Sequence, residues 1–232
     1  MNHILKNGNL SMEIDPQGAY IVSFKSGDGD IFFEKRKINY HNLEKNRGGC
    51  HVCLPQFGPS GAYKLKQHGY GRDVAWELIF TNDRYIKLGH LQEEGDWKGL
   101  ESILEYVLGE NCFEAIVSLK NTSSGNLKIA PGFHPYYQMK KDDQLVINGQ
   151  AYPFDILEKT LYIDNVRNFE INDRKFSVEN SNLNLFAIWT DLKGDYVCIE
   201  PSYRGDTFIE DRGYLVLRPG DEKRFSFKIK ME

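Results

Sequence analysis

The chain has little that would place it in a membrane or on a nucleic acid. Nowhere in its 232 residues does an apolar run approach the ~18 residues of a membrane span. The first dozen residues are polar and lack the apolar core of a signal peptide. Basic runs are short, the longest being Lys35-Arg36-Lys37, and the formal net charge is −4. We therefore expect a cytoplasmic protein that binds neither membranes nor nucleic acids.

Cysteine is also sparse, and its spacing gives weak support for a metal or redox site. Of the four cysteines, Cys50 and Cys53 have the C-x-x-C spacing that zinc and redox sites use. No second pair of this kind occurs, and Cys112 and Cys198 each stand alone in an apolar run. We expect four small buried residues in a reducing compartment, with no metal ion and no cofactor.

A convincing helical period is missing as well, and the best short candidate, Asn180 to Leu185, is weak. Short apolar runs separated by glycine, asparagine, aspartate and proline fill the chain instead, for example Glu101 to Leu108 and Cys112 to Leu119. Such runs are typical of antiparallel strands joined by tight turns. We predict one all-β domain over residues 1–232, with too many strands for a simple immunoglobulin-like sandwich.

What the chain does contain is a histidine in an unusual setting. His134 lies between aromatic residues and a proline in the segment GFHPYY, residues 132–137. An unperturbed histidine side chain has a pKa of ~6.5 and can exchange protons at neutral pH, although a lone histidine at a strand end is more often structural. Two other segments favour a functional role: QHGYGR, residues 67–72, contains His68 and Arg72, and CIEP, residues 198–201, contains Glu200.

Together with RGG at residues 47–49 and PQFG at residues 55–58, these segments resemble the motifs of the aldose 1-epimerase (mutarotase) family. The similarity is greatest to its bacterial and hexose-6-phosphate mutarotase-like branches, and it extends from about Arg47 to Pro201. The resemblance implies a galactose-mutarotase-like β-supersandwich of many antiparallel strands with a concave sugar-binding cleft. It also implies that a small-molecule sugar or sugar phosphate is the partner.

The reaction of this family requires an acid and a base among the site residues. Interconverting sugar anomers requires ring opening, in which a base takes the proton of the C1 hydroxyl while an acid protonates the ring oxygen. We expect these two groups on opposite sides of the pyranose, with no metal or nucleotide. By resemblance, Glu200 is the base, His134 is the acid, and His68 is a second histidine that polarises the sugar.

The same resemblance assigns substrate-binding residues. Arg47 and Arg72 match arginines of the cleft, which hold the phosphate in the sugar-phosphate branch, as bidentate oxyanion binding favours. Either arginine could equally pair with a surface carboxylate. Gln56 and Phe57, in the PQFG segment, are the other predicted substrate contacts.

One departure from the family concerns an aspartate that usually contacts the sugar hydroxyls. Asp155, Asp164 and Asp191 are candidates, but none lies in a recognisable motif.

Two other functions stay open. A non-catalytic carbohydrate-binding or sensing protein needs no acid–base pair, and a glycoside hydrolase usually needs two carboxylates where this sequence offers one in a convincing context.

Overall fold

The structure is a computed structural model and describes residues 1–27, 29–40 and 43–232. Within these ranges β-strands dominate, and the first of two large sheets contains nine of them: β1 (His3–Asn7), β2 (Leu10–Asp15), β3 (Tyr20–Ser26), β4 (Gly29–Phe32), β7 (Cys50–Cys53), β13 (Gly132–Gln138), β16 (Leu161–Asp164), β19 (Leu185–Trp189) and β20 (Tyr196–Ser202). Their order is β1-β2-β3-β4-β13-β20-β19-β16, and β7 pairs with β13 and β3.

The second large sheet also has nine strands: β8 (Glu77–Asn82), β9 (Tyr85–Leu91), β10 (Leu100–Leu108), β11 (Cys112–Asn121), β14 (Leu145–Ile147), β15 (Gln150–Tyr152), β17 (Asn168–Ile171), β18 (Arg174–Ser181) and β22 (Glu222–Met231). Their order is β15-β14-β17-β18-β22-β11-β10-β9-β8. Two small two-stranded sheets pair β5 (Arg36–Tyr40) with β6 (Leu43–Arg47), and β12 (Leu127–Ile129) with β21 (Leu215–Leu217).

The two large sheets pack face to face around an aromatic core. Strand β10 alternates between buried and half-buried residues along its whole length, as a strand with one face on the core must. Across the interface, the Phe24 and Phe113 rings lie 5.5 Å apart, and the Phe133 and Phe227 rings lie 5.1 Å apart. Each buried phenylalanine contributes about 1.5–3 kcal/mol of transfer free energy, so the sheets are held together by apolar burial.

The alternation of side chains along a strand also decides which residues face away from this core. Phe133 and Ile199 point into the core between the sheets. Their sequence neighbours His134 and Glu200 must therefore lie on the opposite face of the first sheet, since successive side chains alternate. Two adjacent strands, β13 and β20, thus present their polar groups on the same outer face.

The all-β prediction is confirmed, and several details differ. Asn180 to Leu185 is not helical, because it covers the end of β18, whose Asn180 pairs with Phe227 of β22, and the start of β19. Strands β1, β5, β6 and β15 are short and carry little of the apolar alternation by which a strand is recognised in a sequence. Cys50 and Cys53 occupy the buried strand β7, and all four cysteines are free.

Helices are few in the described part of the chain. Two 3-10 segments, Gly95–Trp97 and Phe154–Glu158, have three and five residues. Neither these nor any other described helix could cross a membrane.

Candidate active site

A cavity of about 660 Å³ opens on the outer face of the first sheet. Six of the seven predicted site residues line it, and they come from strands and loops far apart in the sequence: Arg47, Phe57, His68, Arg72, His134 and Glu200. A second cavity of about 570 Å³ adjoins it and shares Tyr162 and Asp206 with it. The site therefore forms a polar depression that is large enough for a hexose.

His134 and Glu200 are in direct contact at the base of the cavity. The antiparallel register, which pairs Gly132 with Ser202 and Tyr136 with Cys198, sets His134 opposite Glu200. His134 Nε2 lies 3.3 Å from Glu200 Oε2. The two side chains are thus side by side, contrary to the expectation that they flank a pyranose. Adjacent groups are still compatible with the expected ring opening, because the C1 hydroxyl and the ring oxygen are bonded to the same carbon.

Burial decides the protonation of this pair. His134 and Glu200 are only 4% and 3% exposed. Burial lowers the pKa of His134 well below its ordinary value, and the neighbouring His68, His51 and Arg72 lower it further. Burial raises the pKa of Glu200 well above its ordinary value, although Arg72 opposes this. The neutral pair is therefore favoured, and one proton transfer across the 3.3 Å contact produces the carboxylate and the imidazolium.

His68 is held as a neutral hydrogen-bond acceptor. Its Nδ1 lies 2.6 Å from the Phe57 carbonyl oxygen, so this nitrogen carries the hydrogen and donates it. Its Nε2 then keeps a lone pair. Burial, together with Arg72 and Arg47, lowers the pKa of His68 to about 3. The ring lies 4.8 Å from that of His134.

The backbone fixes this histidine through a tight turn. His68 has φ +68°, which is uncommon for a residue with a side chain. The next residue, Gly69, has φ +67°, and a Cβ there would lie 1.8 Å from the Leu54 carbonyl oxygen. The glycine of this HG pair is therefore a steric requirement, because no larger residue fits at its position.

The two cleft arginines differ in how their charges are balanced. Arg47 Nε lies 2.8 Å from Asp191 Oδ2, and the Asp191 side chain is only 2% exposed. Arg72 donates to Gln67 O at 3.2 Å and lies 3.4 Å from His51 Nε2. Among the residues that the structure describes, no carboxylate pairs with Arg72. Its positive charge is therefore available to a ligand in the cavity.

None of the three candidate aspartates lines the cavity. Asp155 and Asp164 are exposed, and Asp191 is buried behind Arg47. Two other aspartates do line it: Asp73, which pairs with Lys66, and Asp206, which accepts a hydrogen bond of 2.9 Å from the Tyr162 hydroxyl. Sequence reasoning missed Asp206 because it follows the CIEP segment in a loop without a motif.

Gln56 differs from its prediction as well. It is 1% exposed, its side-chain amide donates to Lys66 O at 3.0 Å, and it does not line the cavity. Its role in this structure is to hold the loop that carries Lys66. Phe57 does line the cavity, and its ring lies 5.6 Å from that of His68.

The residues around His134 and Glu200 also include a sulfur. Ligand atoms of His134, Cys198 and Glu200 lie within 4.8 Å of one another, a grouping that could hold a metal ion. Burial and the nearby Glu200 raise the pKa of the Cys198 thiol well above its ordinary value, however. In the metal-free site the thiol is therefore protonated.

The family model and the named relatives that match this chain indicate the same family. The model of the aldose 1-epimerase family matches residues 1–195, a range that ends just before Glu200. A protein of Cenchrus ciliaris named "Putative glucose-6-phosphate 1-epimerase" is 35% identical over 178 residues, covering 68% of this chain and 51% of that protein. An Escherichia coli K12 protein of the same name is 35% identical over 63 residues, covering 27% and 21%. The chain thus spans about half or less of these relatives.

Solved structures agree on the fold. A galactose mutarotase-like protein from Lactobacillus casei superposes with a TM-score of 0.84 at 16% identity, covering 100% of both chains. A galactose mutarotase related enzyme from Lactobacillus acidophilus gives 0.82 at 20% identity, covering 100% of this chain and 97% of the other. At these identities the likeness concerns the fold alone, and it confirms the predicted supersandwich.

Proposed function

Because the chain belongs to the aldose 1-epimerase family, we propose that it interconverts the α and β anomers of a hexose 6-phosphate by general acid–base catalysis. The observation that carries this proposal is the buried contact of 3.3 Å between His134 Nε2 and Glu200 Oε2. A pure binding protein gains nothing from a buried carboxylate and imidazole that share a proton. Pairing a carboxylate with a histidine also differs from the two carboxylates of glycoside hydrolysis.

The reaction begins with the pair in its charged form. The Glu200 carboxylate takes the proton of the C1 hydroxyl, and the His134 imidazolium gives its proton to the ring oxygen. The bond between C1 and the ring oxygen breaks, which leaves an aldehyde at C1 and a hydroxyl at C5. Glu200 is then protonated and His134 neutral, the form that burial favours.

Ring closure reverses these transfers. The aldehyde rotates about the C1–C2 bond and presents its other face to the C5 hydroxyl. His134 takes the proton of that hydroxyl while Glu200 returns a proton to the carbonyl oxygen, so the enzyme regains its starting state. His68 Nε2 accepts a hydrogen bond from a sugar hydroxyl and keeps the ring oriented during the exchange.

The positive charge in the cavity supports a preference for a phosphorylated sugar. Of the cations that line the cavity, Lys66 pairs with Asp73 at 2.9 Å and Arg47 pairs with Asp191. Arg72 and Lys35 have no carboxylate partner among the described residues. Arg72 offers the planar donors that suit a phosphate, and Lys35 lies 3.9 Å over the Tyr20 ring at the cavity wall. The name of the relative from Cenchrus ciliaris agrees with this assignment.

The rate at which the α and β anomers interconvert, observed by NMR through their anomeric protons, tests the proposal directly. The wild-type chain is mixed with glucose, galactose and their 6-phosphates, and the α-to-β exchange rate is compared with that in buffer. We expect acceleration for all aldohexoses and a higher kcat/KM for the 6-phosphates. Anomerisation at the buffer rate with bound sugar would instead support the non-catalytic binding protein, and equal kcat/KM values would refute the phosphate preference.

A further inference from the structure

A third histidine lies behind the catalytic pair and has no role in the mechanism above. His51 is 1% exposed, belongs to β7, and pairs in register with His134 of β13. Its ring lies 4.9 Å from the His134 ring and 5.8 Å from the His68 ring. It does not line the cavity. A buried polar ring at this place needs hydrogen bonds, and those bonds reveal its tautomer.

The contacts of His51 fit one tautomer. Nδ1 lies 3.4 Å from the Val52 carbonyl oxygen and 3.8 Å from Cys53 Sγ. Nε2 lies 3.4 Å from Arg72 Nη1, and a guanidinium can only donate. Nδ1 therefore carries the hydrogen, and Nε2 is the acceptor. Burial, with Arg72 and His68, lowers the pKa of His51 well below its ordinary value, so the ring stays neutral.

A neutral acceptor positions a cation without cancelling its charge. The two bonds of Arg72 go to His51 Nε2 and to the Gln67 carbonyl oxygen, and both acceptors are uncharged. Arg47 shows the contrast, since Asp191 positions it and also balances its charge. A carboxylate in place of His51 would hold Arg72 equally well but would compete with an anionic ligand.

We propose that His51 is a positioning residue for anion binding: its Nε2 holds the Arg72 guanidinium at the cavity wall, where no hydrogen-bonded carboxylate competes with the phosphate of the substrate. The inference rests on the proposed function for the identity of the anion. It does not require His51 to touch the substrate or to exchange a proton. The predicted signature is a loss of affinity for the phosphorylated sugar with little change in the chemical step.

Two substitutions at one position separate the hydrogen bond from the bulk of the ring. His51→Phe keeps a ring of similar size but removes the acceptor, whereas His51→Gln supplies an amide oxygen that can accept from Arg72. We expect His51→Phe to raise the KM for glucose 6-phosphate by about 10-fold, the value of a hydrogen bond to a charged group. The kcat, and the KM for glucose, should change by less than about 3-fold, and His51→Gln should recover most of the affinity.

Controls exclude a general effect on folding. His90 lies outside the cavity, and His90→Gln should leave both KM values unchanged. Thermal unfolding of each variant checks that the fold is retained. In the double variant His51→Phe/Arg72→Ala, affinity should equal that of Arg72→Ala alone, because the two residues act as one unit.

Calorimetric titration with inorganic phosphate keeps the inference separate from the enzymatic proposal. If the wild type binds phosphate but anomerises nothing, the proposed function fails, while weaker phosphate binding by His51→Phe still supports the positioning role. The inference is overturned by an unchanged KM in His51→Phe, or by equal losses for glucose and its 6-phosphate. It is also overturned if His51→Gln is as impaired as His51→Phe, or if the wild type binds neither phosphate nor glucose 6-phosphate.

Discussion

Glu200→Gln removes the proposed base while keeping the size and hydrogen-bonding shape of the side chain. A general base contributes about 10²–10⁴-fold to a rate, which is about 2.7–5.4 kcal/mol of the activation barrier. The structure favours the upper half of this range. Glu200 is 3.3 Å from His134, so the substitution also removes the negative charge that stabilises the His134 imidazolium. We therefore expect a loss of about 10³-fold or more in kcat.

The same variant should lose activity but gain stability against unfolding. Burial raises the pKa of Glu200, so the folded state binds its proton more tightly than the unfolded chain does. The stabilising contribution of this group is present below the unfolded pKa of about 4.3 and is lost as the pH rises through the folded pKa. Glu200→Gln should therefore unfold at a higher urea concentration than the wild type at pH 8, with a smaller difference at pH 4.5.

Anomeric exchange by NMR and urea unfolding, both measured at several pH values, supply the assay. Glu114→Gln is the matched control, because Glu114 lies on β11 of the second sheet, away from the cavity. Turnover of Glu200→Gln within about 3-fold of wild type would refute the assignment of the base. Loss of both activity and stability would refute the reasoning about burial, since it would point to a structural role for the carboxylate.

Three other predictions concern the groups that surround this pair. The buried histidines of the site have lowered pKa values, about 3 for His68, so their stabilising contribution is present above the unfolded pKa of about 6.5. On acidification below this pKa, the free energy of unfolding should therefore fall by up to about 1.4 kcal/mol per pH unit for each ring. A urea midpoint that does not change between pH 7 and pH 5 would contradict this. Arg47→Ala leaves Asp191 buried without its counter-charge and should cost about 3–5 kcal/mol in urea unfolding, whereas adding Asp191→Asn should restore part of it. Gly49→Ala should abolish folding as monitored by circular dichroism, because its Cβ would lie 2.0 Å from a backbone oxygen, whereas Gly8→Ala meets open space and should fold.

The fold class could be predicted because its signals are local. Apolar alternation over a few residues defines a strand such as β10, and glycine, asparagine and proline define the turns between strands. The same local character made His134 and Glu200 recognisable, since each lies in a short segment with a distinctive neighbourhood. Those features depend only on residues adjacent in the chain, which the sequence displays directly.

The composition of the site could be predicted only in part, because it depends on strand order. Asp206 enters the cavity from a loop without a motif, and Gln56 is withdrawn from it by a hydrogen bond to Lys66 O. His51 occurs beside a cysteine pair in the sequence, where nothing associates it with Arg72, 21 residues away. Its role emerges only when β7 pairs with β13 and brings it next to His134.

The amino-acid sequence by itself thus determined the all-β class and the types of chemical group at the site, since both arise from short-range patterns. The tertiary structure alone decided which of these groups touch. It placed His134 beside Glu200, paired Arg47 with Asp191 across 144 residues of sequence, and left Arg72 with neutral partners. The physical reason is that sheet register connects distant segments, and burial between them then sets the charge of every group in the cavity.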